Sequence, residues 1–282
     1  MKYSGIGATD IGKRRKRNED HLLVDDRFGL YIVADGMGGY AAGDVASRLA
    51  VESAATFLYR KRDQIEKLRQ AGGNQSELSS LAAGAVTHAS NVVFRTSRNN
   101  RELAGMGCTL TVLLLGRTVA AMAHVGDSRL YLARRNRVRQ LSTDHNLANQ
   151  LVDLGMIGRR QAGRMRGGHV LTRSIGRRRS VMVEELVIDV QSGDHFVLCT
   201  DGLSNHLVQH DDLHRLLTLG RFRTSARRLV DFANASGGED NITAIVVRVD
   251  DAAPRQSTEA MARRLITETG PHLVEGGANL SL

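Results

Sequence analysis

The sequence has no tryptophan, only two prolines and two cysteines, and 4% aromatic residues. Base-stacking platforms for single-stranded nucleic acid are therefore poorly supplied. Cys108 and Cys199 sit inside apolar runs. That context suits buried, reduced core residues and not a disulfide, and two cysteines alone make no zinc site. Long apolar stretches are also missing. Thr109–Leu115 meets Gly116 and Arg117 before it is long enough to cross a bilayer, and the start, Met1 to Gly5, has no apolar secretory core. These absences predict a cytoplasmic protein without a membrane span. Both prolines, Pro254 and Pro271, lie near the C-terminus, and no repeat or Pro/Ser-rich linker divides the chain. Residues 1–250 therefore read as one domain and 251–282 as a polar tail.

The 282 residues are 41% hydrophobic and carry 39 Lys and Arg against 30 Asp and Glu, a formal charge of +9. That balance is globular and excludes disorder as the main description. Residues 28–34 read as a buried strand, and the spacing of Ala46, Ala50, Ala54 and Phe57 predicts a helix over 43–62. A second helix is predicted over 77–98. Strands follow at 108–115, 118–125, 129–133 and 137–141, then a short helix at 146–154. After a Gly- and Arg-rich excursion, strands return at 182–189 and 195–200. Helices at 211–219 and 222–235, a strand at 242–249 and a weak helix at 258–267 complete the pattern. Serial strands between paired helices argue for an α+β fold with antiparallel sheets.

Acidic residues fall at the strand ends. Asp35-Gly36 follows one strand and Asp201-Gly202 another; Gly126-Asp127 follows a third, Asp240-Asn241 precedes the last, and Glu19-Asp20 stands before the apolar Leu22–Val24. Any one Asp-Gly is a common turn dipeptide. Gathered on one rim, such carboxylates would repel one another unless cations held them, and oxygen ligands without cysteine suit Mg²⁺ or Mn²⁺.

The chain resembles the bacterial metal-dependent serine/threonine phosphatases of the protein phosphatase 2C family. The resemblance rests on Arg15–Asp20, Val33-Ala34-Asp35-Gly36-Met37-Gly38-Gly39, Gly107-Cys108-Thr109, Val125-Gly126-Asp127-Ser128-Arg129, Leu171–Gly176, Cys199-Thr200-Asp201-Gly202-Leu203-Ser204 and Asp240-Asn241-Ile242-Thr243, in the family's order over about residues 5–250. It implies a four-layer α-β-β-α sandwich of two antiparallel sheets flanked by helices. It also implies a site at one end of the sandwich with two core Mn²⁺ or Mg²⁺ ions and room for a third. By position, Asp35 would bridge the core ions, Gly36 would offer its carbonyl, and Asp201 and Asp240 would complete the first ion. Glu19 and Asp20 would act in or through the water shell, Asp127 with Asp201 would hold the third ion, and Arg15 would pair with the substrate phosphate.

The activity so implied is hydrolysis of phosphoserine and phosphothreonine in proteins by a water activated between two cations, reversing a Ser/Thr protein kinase. The alternatives are a catalytically weak phosphatase-like scaffold or a basic binding module. A monomer acting on phosphoproteins is expected, with no nucleic-acid or membrane partner. Where animal members carry histidine after Asp-Gly, this chain has Met37; a water in the metal shell would then protonate the leaving group. His21, His124 and His145 read as packed or surface residues. The Lys13–Arg17 run gives Arg15 a site role and its neighbours electrostatic support. In the family, the segment at about 149–180 is a flap beside the active site. Its basic stretch, with Arg159, Arg160, Arg164, Arg166, Arg173, Arg177, Arg178 and Arg179 over 155–180, would steer acidic phosphorylated segments or form a solvated loop.

Overall fold

A computed structural model describes residues 1–38, 42–70, 75–163, 165–207, 210–252 and 262–268. The first sheet is built from β1 (Lys2–Asp10), β7 (Arg129–Arg134), β8 (Arg137–Gln140), β10 (His195–Cys199) and β11 (Ile242–Asp251). Its order is β1-β11-β10-β7-β8. The second comprises β2 (Asp20–Asp25), β3 (Leu30–Met37), β5 (Leu110–Leu115), β6 (Val119–Val125), β9 (Met182–Asp189) and β12 (Ala262–Glu268), in the order β12-β9-β6-β5-β3-β2. The short β4 (Gly107–Cys108) pairs with the end of β3. All strand pairs are antiparallel.

The strands are apolar on both faces, which is why they stack in layers. In β3, Tyr31 and Val33 point between the sheets, while Leu30, Ile32 and Ala34 face the helices. In β5, Leu113 and Leu115 point inward, and Val112 and Leu114 outward. Period-two side-chain alternation thus feeds two cores from one strand. The inner core adds Met122, Leu130, Leu132, Phe196, Leu198 and Ile245. Outside the second sheet lie α1 (Ala42–Tyr59), α2 (Arg62–Gln70) and α3 (Gln75–Asn99). Alanines at 46, 50 and 54 on α1 and at 82, 85 and 89 on α3 are fully buried in the core these helices share with the sheet. Outside the first sheet, α7 (His210–Thr218) and α8 (Ser225–Ala235) bury Leu213, Leu229 and Val230 against Val197, Val246 and Cys199. Three short helices, α4 (Leu147–Asp153), α5 (Arg159–Ala162) and α6 (Asp201–Ser204), lie near the acid cluster. The expected four-layer α+β sandwich is therefore present. No described helix is long and apolar enough to cross a membrane.

The differences from expectation have local causes. β1 carries Gly5 and Gly7 and little apolar surface, so its pattern is weak. The expected helix over 43–62 ends at Tyr59, and α2, which buries only Ile65, follows separately. The expected helix over 258–267 is corrected: residues 262–268 form β12, paired from Ala262↔Ile188 to Glu268↔Met182. The open edge of β9 supplies a ladder that a weak local helix signal cannot match. Residues 258–261 of that helix lie outside the described residues, as do Gly39, Arg164 and the tail beyond 268. Asp35 and Gly36 also lie inside β3 and not after it. Cys108 and Cys199 are buried and unpaired in the core, as expected.

Candidate active site at the end of the sandwich

The acids that the sequence scatters over 220 positions meet at one end of the two sheets. Asp20 and Asp35 are direct cross-strand partners on β2 and β3. Asp201 opens α6 immediately after β10, and Asp240 precedes β11. The electrostatic neighbours of Asp35 include Asp20, Asp201, Asp127 and Asp240, so the structure brings five of the predicted acids into one field. Glu19 flanks the group beside Arg15 and Asp240.

Each acid is fixed by its backbone and neighbours. The Asp35 N–H donates to Thr109 Oγ1 at 2.8 Å, and the Thr109 N–H donates back to the Asp35 carbonyl at 2.9 Å. Asp20 Oδ2 accepts from Thr200 Oγ1 at 2.9 Å and from Thr243 Oγ1 at 2.7 Å. Asn241 Oδ1 accepts the Glu19 N–H at 2.8 Å, while its amide donates to the carbonyls of Ile11 and Arg17. Asn241 thereby pins the 11–19 segment that carries Arg15. Arg15 Nη2 reaches Asp240 Oδ2 at 2.6 Å. The sequence offered Thr200, Thr243, Thr109 and Asn241 only as motif neighbours; their work as clamps is visible only in space.

Gly36 is packed as well as permissive. A Cβ there would lie 2.1 Å from the Gly43 carbonyl oxygen and 2.5 Å from that of Glu19. Both contacts are with backbone on rigid elements, so Gly36→Ala is expected to destabilise the fold by about 3 kcal/mol. Thermal unfolding checks this, with a melting temperature within 2 °C of wild type as the opposing result.

The acids are protonated more readily than usual. Burial, with Asp201 nearby, pushes Asp20 and Asp127 up to about 7. Burial first, then the neighbouring carboxylates Asp20 and Asp201, holds Asp35 well above the usual carboxylate range. Asp201 is raised by burial and by Asp240, and Glu19 by burial. Asp20 Oδ1 and Asp201 Oδ1 are buried without a hydrogen-bond partner. Crowded carboxylates with orphaned oxygens and no sulfur are the donor set for hard divalent cations, whose charge would remove the repulsion and occupy those oxygens.

As the sequence predicts, His21 and His124 are packed residues, half-buried and buried respectively. His21 is on the β2 face opposite Asp20, where its charged neighbours are Glu52, Arg48 and Asp44 of α1. His124 is fully buried beneath the Gly126-Asp127 turn, and burial lowers it to about 4. Glu184 beside it carries no motif signal, being one of three acids, with Glu185 and Asp189, in the 182–189 strand. A cavity of about 190 Å³ opens beside Asp127 and Asp201, with Arg159, Gly163, Gly168 and His169 of the flap forming its far wall.

A sandwich of two antiparallel sheets with converging carboxylates at one end defines a class of cation-dependent hydrolases. The sequence model described as protein phosphatase 2C matches residues 9–245, and the chain belongs to that family. It is 34% identical to the serine/threonine phosphatase stp of Listeria monocytogenes over 246 residues, covering 86% of this chain and 94% of that protein. It is 30% identical to the protein phosphatase PhpP of Streptococcus pneumoniae over 248 residues, covering 86% and 96%. The crystal structure of the Mycobacterium tuberculosis serine/threonine phosphatase PstP/Ppp superposes with a TM-score of 0.78 at 30% identity, covering 88% of this chain and 99% of that one. A PstP catalytic domain in complex with two manganese ions gives 0.74 at 30% identity, with the same coverage.

Proposed function

We propose that the acid cluster is the reaction centre of a protein serine/threonine phosphatase and the seat of its divalent cations, Mn²⁺ or Mg²⁺. The observation that carries this reading is the convergence of Asp20, Asp35, Asp127, Asp201 and Asp240 on one rim with orphaned carboxylate oxygens. Asp35 would bridge two ions beside the Gly36 carbonyl. Asp201 and Asp240 would complete one of them, Glu19 and Asp20 would hold its water shell, and Asp127 with Asp201 would bind a third. The cations supply an acidified water and neutralise charge on the phosphoryl oxygens.

The chain's own groups do the rest. Thr200 and Thr243 hold Asp20 in one orientation, and Thr109 holds the Asp35 backbone. Arg15 stands at the rim with several N–H donors, of which one reaches Asp240. A guanidinium fork is suited to two oxygens of a phosphate monoester, so Arg15 would orient the substrate. Phosphate release from a phosphothreonine peptide is expected with Mn²⁺ or Mg²⁺ and is expected to stop with chelator. Folded protein inactive with either cation would overturn the reading.

Phosphoproteins generated by a serine/threonine kinase would be the substrates, met in the cytoplasm by a monomer. The two unpaired cysteines support a reducing compartment. Residues 1–250 would be the catalytic unit, with 251–282 as an appendage. The flap would favour acidic sequences around the phosphoresidue. Its support is Arg159 in the wall of the cavity next to Asp127 and Asp201, with exposed Arg160 alongside. Replacing Arg159 and Arg160 together by alanine is expected to lower kcat/KM for acidic phosphopeptides about tenfold at low salt and to flatten its salt dependence. A small phosphate ester should be hydrolysed as before. Unchanged salt dependence on the peptide would remove the flap from substrate choice.

A further inference from the structure

Behind Asp127 lies a buried polar group that the proposed chemistry does not use: His124, His145 and Glu184. These are residue types that bind cations, yet their atoms already face other partners. His124 Nδ1 is 2.8 Å from Thr111 Oγ1, and Nε2 donates to the carbonyls of Gly126 at 3.0 Å and Thr143 at 3.2 Å. The two imidazoles stack at 5.0 Å with their planes 28° apart, so their lone pairs do not converge on one point. The group is a hydrogen-bonded latch, and its centre is His145.

His145 grips both polar groups of Gly126. Its backbone N–H donates to the Gly126 carbonyl at 2.7 Å, and its Nδ1 accepts the Gly126 N–H at 3.1 Å. Because Nδ1 accepts, Nε2 carries the ring proton and points at Glu184 Oε2, 3.3 Å away. Glu184 is held in turn by the Thr143 N–H at 3.0 Å. Gly126 has φ of +118°, and a Cβ there would meet Thr109 at 2.5 Å. Only glycine fits this turn, and glycine is the residue least able to hold a conformation by itself. Next door, Asp144 pairs with Arg129 at 2.6 Å. Segment 143–145 thus holds the chain on both sides of Asp127.

The same residue seats the flap. The His145 carbonyl accepts the Thr172 N–H at 2.9 Å, the Leu147 N–H donates to Val170 at 2.9 Å and the Ala148 N–H to Gly168 at 3.1 Å. We propose that His145, backed by Glu184, is a positioning residue that sets Asp127 and ties it to the returning limb of the flap. This rests on the reading of Asp127 as a cation ligand.

The test is calorimetric titration of the full-length protein with Mn²⁺, comparing His145→Asn, His145→Gln and Asp127→Asn. Asparagine places an acceptor near the position of Nδ1 and keeps the grip on Gly126; glutamine reaches Glu184 but offers Gly126 no acceptor. His145→Asn should keep the weakest Mn²⁺ step, and His145→Gln should weaken it at least tenfold, leaving the other steps intact. Equal behaviour of the two variants overturns the proposal. Amide exchange in the wild-type protein is the second measurement, and it remains decisive if a variant does not fold. Gly126 should exchange as slowly as the β6 core amides, and rapid exchange overturns the clamp. If Asp127→Asn binds every ion as wild type does, the ligand reading fails, while the exchange result still judges the clamp.

Discussion

The Asp35→Asn protein is expected to release phosphate from a phosphothreonine peptide about a thousandfold more slowly than wild type, at saturating Mn²⁺. Asp35 sits at the centre of the field, with Asp20, Asp201, Asp127 and Asp240 all among its neighbours. Asparagine has the same size and keeps the backbone bonds to Thr109, but it lacks the negative charge that the proposed pair of cations would need. Removing one electrostatic contact in an enzyme site typically costs 10² to 10³ in rate, and if Asp35 holds two ions, as proposed, its loss would affect both. Asp201→Asn should show a comparable loss. The assay compares initial rates with Mn²⁺, Mg²⁺ and chelator on protein of confirmed fold. A loss smaller than tenfold in Asp35→Asn would remove that residue from the centre of the chemistry. The same substitution relieves repulsion, so the variant should unfold in chelator at or above the wild-type temperature. Loss of activity with retained stability separates a chemical role from a structural one.

The second large effect is a dependence of stability on pH that Mn²⁺ removes. Unfolded aspartates titrate near the ordinary aspartate value of 3.8, whereas Asp20 and Asp127 in the fold are pushed up to about 7. The folded form therefore holds these protons more tightly, and protonation favours folding. This contribution is complete below about pH 4 and is lost as pH rises through about 7, by on the order of a few kcal/mol per carboxylate. In chelator, the melting temperature should fall by about 10 °C between pH 5 and pH 8. On the proposed reading, cations would bind only the deprotonated, folded cluster. At about a hundred times its dissociation constant, one bound ion adds about 2.7 kcal/mol, so Mn²⁺ should flatten or reverse the slope. Differential scanning calorimetry across this range decides the matter. A melting temperature that rises with pH in chelator would show that the cluster is not strained by its own charge.

Much of the site was legible because its chemistry is carried by short local pieces. Asp35-Gly36, Gly126-Asp127 and Asp201-Gly202 each announce an acid beside a backbone position with little room for a side chain, and Asp240-Asn241 sets an acid beside an amide. The strands were legible because Leu30–Ala34 and Leu110–Leu115 are continuous apolar runs. The weak elements were lost where the local signal was diluted. β1 has two glycines, α2 buries one residue, and β12 is decided by the free edge of β9.

Glu184 shows the limit most clearly. In sequence it is one of three acids in β9; in the fold it backs His145, which grips Gly126. No spacing rule links positions 126, 145 and 184, because their proximity follows from the pairing of β6 with β9 and the return of the chain after β8.

The amino-acid sequence by itself determined the alternation that makes a two-sided apolar sheet and the supply of oxygen ligands without sulfur. Those are properties of neighbouring residues, set by side-chain period and residue type. Only the tertiary structure decided that five acids share one rim, that their mutual field raises their affinity for protons, and that Thr200, Thr243, Asn241 and His145 hold the loops that carry the rim. Burial and charge–charge coupling act through space, and they exist only once the two sheets have closed on each other.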